Sequence, residues 1–113
     1  MTFAEKFEYL KKRYAEKADF TKIKEDLAAQ ITLTDEDAGG TFYVAVKGGK
    51  ADIQPYGYYD NTVAVHVHSA LLEEILQGKK EAVNEFLLGN LEAEGEPAHA
   101  LALIAAMRVR RKK

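Results

Sequence analysis

Ten consecutive residues near the C-terminus, Ala98–Met107, carry no formally charged side chain. Five are alanine, one is His99, and Leu101, Leu103, Ile104 and Met107 point in different directions around a helix. A helix apolar on every side must be buried all round, or must face something greasy outside its own chain. The run is far short of the 18 or more residues that a membrane span needs, so the bilayer interior is not its solvent. What lies ahead of it narrows the fold. Ser69–Gly78 and Lys79–Gly89 read as two short helices, each stopped by a glycine, and Asn90–Gly95 reads as a strand.

The rest of the chain supplies the layer for these helices to pack on. Phe3, Phe7, Leu10 and Tyr14 recur at helical spacing among charged residues, predicting an amphipathic helix within residues 1–18 with Thr2 as its N-cap. A second helical turn or two is expected after Asp19 or Thr21, with Phe20, Ile23 and Leu27 on one face. From Ala29 the period becomes two. Ile31 and Leu33, then Phe42, Val44 and Val46, then Ile53, then Val63, Val65 and Val67, and finally Leu91 alternate with polar or small residues. Gly48-Gly49 makes a tight hairpin loop, and Pro55 marks an edge or end of the third strand. Ser69 is the expected cap of the following helix, and Pro97 the opening of the last one. These patterns predict an α+β class: a five-stranded, mostly antiparallel sheet, its outer face wet, with helices packed on the other face. With 113 residues the chain reads as one domain, 1–113, ending in a basic tail over 108–113.

Composition excludes several functions. The net charge of −2 leaves no dominant basic stripe, which argues against nucleic acid as the partner. There is no cysteine, hence no disulfide framework, thiol nucleophile or cysteine zinc site. The N-terminus is charged and amphipathic, unlike a secretory signal, so a cytoplasmic protein is expected. No catalytic constellation emerges, and no cofactor is expected; Ser69, the only serine, is better explained as a helix cap than as a nucleophile. His66 and His68 share a strand face with Glu92 and Glu94, if the fourth and fifth strands pair, and are the only metal candidates; cross-strand charge pairing is the plainer reading. Tyr56, Tyr58, Tyr59 and Asp60 form an aromatic connection, read as cover for an open sheet end or as a cavity rim. The tail holds five cations, Arg108, Arg110, Arg111, Lys112 and Lys113. A terminal charge run of this kind is usually solvated, and its sharper reading is transient contact with an anionic membrane.

Several stretches in sequence order carry a resemblance. They are the strand pair Ile31–Thr34 and Gly40–Lys50, the strand-helix unit Val63–Gly78, and Phe86-Leu-Leu-Gly-Asn-Leu-Glu-Ala-Glu-Gly95. Together with Gln54–Asp60, they make residues 19–107 resemble the sterol carrier protein type 2 family, in its stand-alone bacterial form. Asn90 and Glu92 stand where that family usually has lysines. The resemblance implies a hydrophobic tunnel between sheet and helices and non-catalytic carriage of a fatty acid, a sterol-like lipid or an isoprenoid. The residues that would line the tunnel are Phe42, Val44, Val65, Leu72, Ile75, Leu76, Phe86, Leu87, Leu101, Ile104 and Met107. The alternative is a protein-interaction domain with a fully packed core, no ligand and a protein partner.

Overall fold

The computed structural model describes residues 2–108. Helix α1 spans Phe3–Leu10. The Thr2 hydroxyl accepts from the Glu5 N–H, and the Glu5 carboxylate accepts from the Thr2 N–H, a reciprocal pair that closes the helix N-terminus. The helix continues as a π-helical segment, Lys11–Ala15, which turns Tyr14 and Ala15 inward beside Phe7 and Leu10. Residues 16–26 do not form the expected second helix. They run as turns, fastened where the Asp19 carboxylate accepts from the N–H and hydroxyl of Thr21, and Leu27 opens a strand instead of closing a helical face.

Five strands follow: β1 Leu27–Leu33, β2 Gly40–Lys47, β3 Lys50–Gln54, β4 Val63–Val67 and β5 Leu91–Gly95. They lie in the order β3-β2-β1-β4-β5, antiparallel except for the central β1/β4 pair. The β2–β3 loop uses Gly48 and Gly49, both at positive φ, as a two-residue hairpin of this kind requires. The parity read from the sequence holds. Ile31, Leu33, Phe42, Val44, Val46, Val63 and Val67 are all buried on one face. Helices α2 (Ser69–Leu76) and α4 (Pro97–Met107) cover that face with α1, so Leu72, Leu76, Leu103 and Met107 complete the core.

Two further expectations are corrected. The opposite face of the sheet is not uniformly wet, because Ala28, Tyr43 and Ala45 are buried there beneath Tyr58. The Tyr43 ring meets those of Tyr58 and Tyr56 with centroids 4.7 and 5.6 Å apart, so the aromatic connection after Pro55 folds back as a lid on that face. The cap of α2 is His68, whose Nδ1 accepts from the Ala70 N–H, while Ser69 belongs to the helix and sends its N–H and hydroxyl to Asp35. Between α2 and β5 stands α3, Ala82–Leu87.

Candidate functional site

Residues 13–27 pass alongside α4 without packing flush against it. The space between them is an open-sided groove of about 970 Å³. Its apolar lining comes from Tyr14, Ala18, Ile23 and Leu27 on one side and from Ala102, Ala105, Ala106 and Met107 on the other. Five cations, Arg13, Lys17, Lys22, Lys24 and Arg108, border it, against two acids, Asp19 and Glu25. His99, near the start of α4, reaches Glu25 of this border from outside the groove. Its Nδ1 lies 2.7 Å from the Thr62 hydroxyl, and its Nε2 lies 3.4 Å from the Glu25 carboxylate.

The wall containing Tyr14 is fixed from α2. The Tyr14 hydroxyl donates to Glu73 at 2.8 Å, Tyr9 donates to the same carboxylate oxygen, and the Tyr14 oxygen accepts from Gln77 and Arg13. Burial raises the Tyr14 pKa, although Arg13 pulls it the other way. Behind this wall, between sheet and helices, lies a cleft of only about 20 Å³, lined by Phe7, Leu10, Ile31, Phe42, Val44, Ile53, Leu72 and Leu76, among others. Tyr14 and Met107 line both spaces, so they form the partition between an open amphipathic groove and a closed apolar core.

The residues anticipated for a tunnel separate into three places. Phe42, Val44, Leu72, Leu76 and Met107 surround the closed cleft, with Val65 partly buried beside the same core. Ile75, Leu101 and Ile104 line a shallow cavity of about 120 Å³ between α4 and the start of α3. Phe86 and Leu87 face solvent, 47% and 75% exposed. Of the candidate membrane contacts, Arg108 pairs with Glu81 at 3.3 Å, while Arg110, Arg111, Lys112 and Lys113 lie outside the described residues. His66 stands opposite Thr32 and Glu92 in the sheet, whereas His68 is drawn away to the α2 cap and to Asp35, 3.6 Å from its Nε2. Among the described residues no group of three or more metal-ligating side chains converges. Tyr59 is fully exposed. Sequence reasoning missed the groove wall at Lys17, Lys22, Ile23 and Lys24; its signal was lysine interleaved with Phe20 and Ile23 in a stretch read as helix.

No family model and no curated protein sequence matches the chain. Solved structures do. The stereoselective inverting sec-alkylsulfatase Pisa1 from Pseudomonas sp. superposes with TM-score 0.70 at 14% identity, over 93% of this chain. The chain spans only 16% of that protein's length. Sterol Carrier Protein 2 Like 2 from Aedes aegypti gives TM-score 0.64 at 19% identity, covering 91% of this chain and 94% of that one. The palmitated form of the same mosquito protein, in solution, gives TM-score 0.66 at 17% identity over the whole of both chains. No helix among the described residues is long and apolar enough to cross a membrane. At these identities the likeness is one of fold, and the fold is that of the sterol carrier protein 2 domains.

Proposed function

We propose that this protein is a non-catalytic carrier of a single-chain lipid with an anionic head, of which a long-chain fatty acid is the simplest. The observation that carries the reading is the groove between residues 13–27 and α4. Its volume of about 970 Å³ falls in the range of about 300–1,000 Å³ usual for small-molecule sites, and it joins an apolar lining to a cationic border. The tail of such a ligand would lie along Ile23, Leu27 and the alanines of α4. Its carboxylate would sit among Lys17, Lys22 and Lys24. The mosquito relative of the same fold is described in a palmitated form, which supports the ligand class.

The partition at Tyr14 and Met107 gives the mechanism its second stage. Methionine is unbranched and adaptable, so rotation of Met107 can open the wall without unfolding α4. A tail end would then enter the apolar space behind it, spreading apart Phe42, Leu72 and Leu76. Acid-base chemistry has little to work with here: the Ser69 hydroxyl donates to Asp35 and His68 is spent on a helix cap. A sterol or isoprenoid would use the same lining but leave the cationic border unpaired.

The test compares palmitate with hexadecanol in displacing a fluorescent fatty probe. Each exposed ion pair is worth about 0.2–1 kcal/mol, so reversing two cations in Lys22→Glu/Lys24→Glu lowers palmitate affinity about 2- to 30-fold. Hexadecanol affinity stays within about twofold on the same grounds. Equal loss for both ligands would overturn the assignment of the head. Failure of the unmodified protein to bind either one would overturn carriage itself and favour a packed interaction domain.

A further inference from the structure

Helix α3 is inside out. Val83, Phe86 and Leu87 occupy one face of it and are 50%, 47% and 75% exposed, and Leu88, at its C-terminal end, is 70% exposed. The buried residue of this helix is instead Glu85, whose carboxylate accepts from the Asn90 side chain at 3.0 Å and whose carbonyl accepts from the Asn90 N–H. Single exposed apolar residues are common on protein surfaces, but a contiguous apolar face is a mark of an interaction site. Leu101, 42% exposed, extends this face onto α4, because it lines the same shallow cavity as Val83.

The border of the face carries three cations, Lys79, Lys80 and Arg108, against one acid at the cavity, Glu81, which pairs with Arg108 and leaves the two lysines as the excess charge. Lys79 and Lys80 lead into α3 and are exposed, with no ion pair among the described residues. The Arg108 guanidinium lies across Gly78, 3.1 Å from where a Cβ on that glycine would project, and reaches Glu81. Helix α4 therefore ends beside this face, at Arg108. An apolar centre bordered by cations fits an apolar layer capped by anions. A self-complementary pairing of two copies would instead bring two cationic borders into one interface, at a cost in repulsion.

We propose that α3, with Leu101, Lys79, Lys80 and Arg108, is the face by which the protein docks on an anionic lipid bilayer. Phe86, Leu87 and Leu88 enter the boundary between headgroups and acyl chains, as the apolar face of an interfacial helix does, and the cations lie at the level of the phosphates. This goes beyond the carrier reading and does not need it, since docking is measured with no ligand in the groove.

The experiment is sedimentation of the full chain with phosphatidylcholine vesicles, with and without about one third phosphatidylglycerol. Binding is expected to the anionic vesicles, about tenfold or more above binding to the neutral ones, and to fall as salt is raised. Leu87→Asp/Leu88→Asp lowers that binding about tenfold or more, with an unchanged melting curve because both side chains are exposed. Leu87→Ser/Leu88→Ser serves as the second variant and shows a smaller loss in the same direction. Lys79→Gln/Lys80→Gln weakens binding to anionic vesicles alone. The proposal is overturned if folded leucine variants sediment like the unmodified protein. It is equally overturned if neutral and anionic vesicles bind alike, or if the face pairs two copies that the Leu87→Asp/Leu88→Asp change separates without any vesicle binding.

Discussion

Replacing Asp35 with alanine orphans two buried donors in one step. Ser69 is 3% exposed; its N–H donates to one Asp35 oxygen at 2.8 Å and its hydroxyl to the other at 2.6 Å. An unsatisfied buried donor costs about 1–3 kcal/mol, so Asp35→Ala should lose about 2–6 kcal/mol, a large part of the 5–15 kcal/mol or so that holds a typical domain. In a Ser69→Ala background only the N–H is left without a partner, and the same replacement should cost about 1–3 kcal/mol. Urea unfolding followed by circular dichroism reads both losses as shifts in midpoint at constant slope. The pH dependence has a definite sign. Burial pushes the Asp35 carboxyl upward, but the Ser69 hydroxyl and N–H and the nearby His68 outweigh it and hold it below its ordinary value. Stability from this carboxylate is therefore complete above its unfolded value of about 4 and is lost as pH falls through the lower folded value. Asp35→Asn should flatten that part of the acid limb. A cost below about 1 kcal/mol for Asp35→Ala, or losses that simply add in the double variant, would refute the account.

Two contrasts test the packing and the alkaline limb. Leu103→Ala, at a site 2% exposed, should cost about 2–5 kcal/mol, whereas Leu87→Ala, at a site 75% exposed, should stay within about 0.5 kcal/mol; thermal melting of the pair checks which leucines belong to the core. The hydrogen bond from Tyr9 to Glu73 pushes the Tyr9 pKa up to about 12. Its stabilising contribution is therefore present below the unfolded value of about 10 and is lost as pH rises through the folded one, so Tyr9→Phe should flatten the alkaline limb, and absorbance titration should show one tyrosine fewer ionising late.

The sheet was legible because a period of two admits only two faces, and Val63, Val65 and Val67 or Phe42, Val44 and Val46 leave no doubt which is apolar. The same argument fails for α3. Helical spacing says that Val83, Phe86 and Leu87 share a face, but not which way that face points. The direction is set by Glu85, held inward through Asn90, a contact five residues along the chain that no periodicity encodes. The cap of α2 was misread for a related reason: serine is the better local cap, yet Asp35, brought up from the turn after β1, claims its hydroxyl and leaves the task to His68. Leu27 fits a helical face with Phe20 and Ile23 and fits a strand with Ala29 and Ile31. Pairing with Val46 across the sheet decides it. The groove depended on that decision, since its outer wall exists only because residues 16–26 are not helical.

The helix that is apolar on every side is accounted for by its three neighbours. Leu103 and Met107 point into the core on the sheet. Leu101 and Ile104 face the cavity beside α3, Ala102 and Ala106 face the groove, and Ala105 lines both. The two fully packed residues of the helix are large, Leu103 and Met107, while the groove side is built mainly of alanine, where a bulkier residue would narrow the open space. Were α4 simply a core helix, its alanine side would lie flush against residues 16–26 and the cations there would have no reason to gather around it. Because that side is open while Met107 closes the core next to it, α4 divides a space that is available from one that must be made. The cost of making it is separating Phe42, Leu72 and Leu76 around a cleft of about 20 Å³, so a tail that only lies in the groove and one that enters the core should differ in how far they raise the melting temperature. On the proposed carrier reading, chain length is the variable that separates them: a short fatty acid would fill the groove alone, and the rise in melting temperature should steepen at the length that first reaches past Met107.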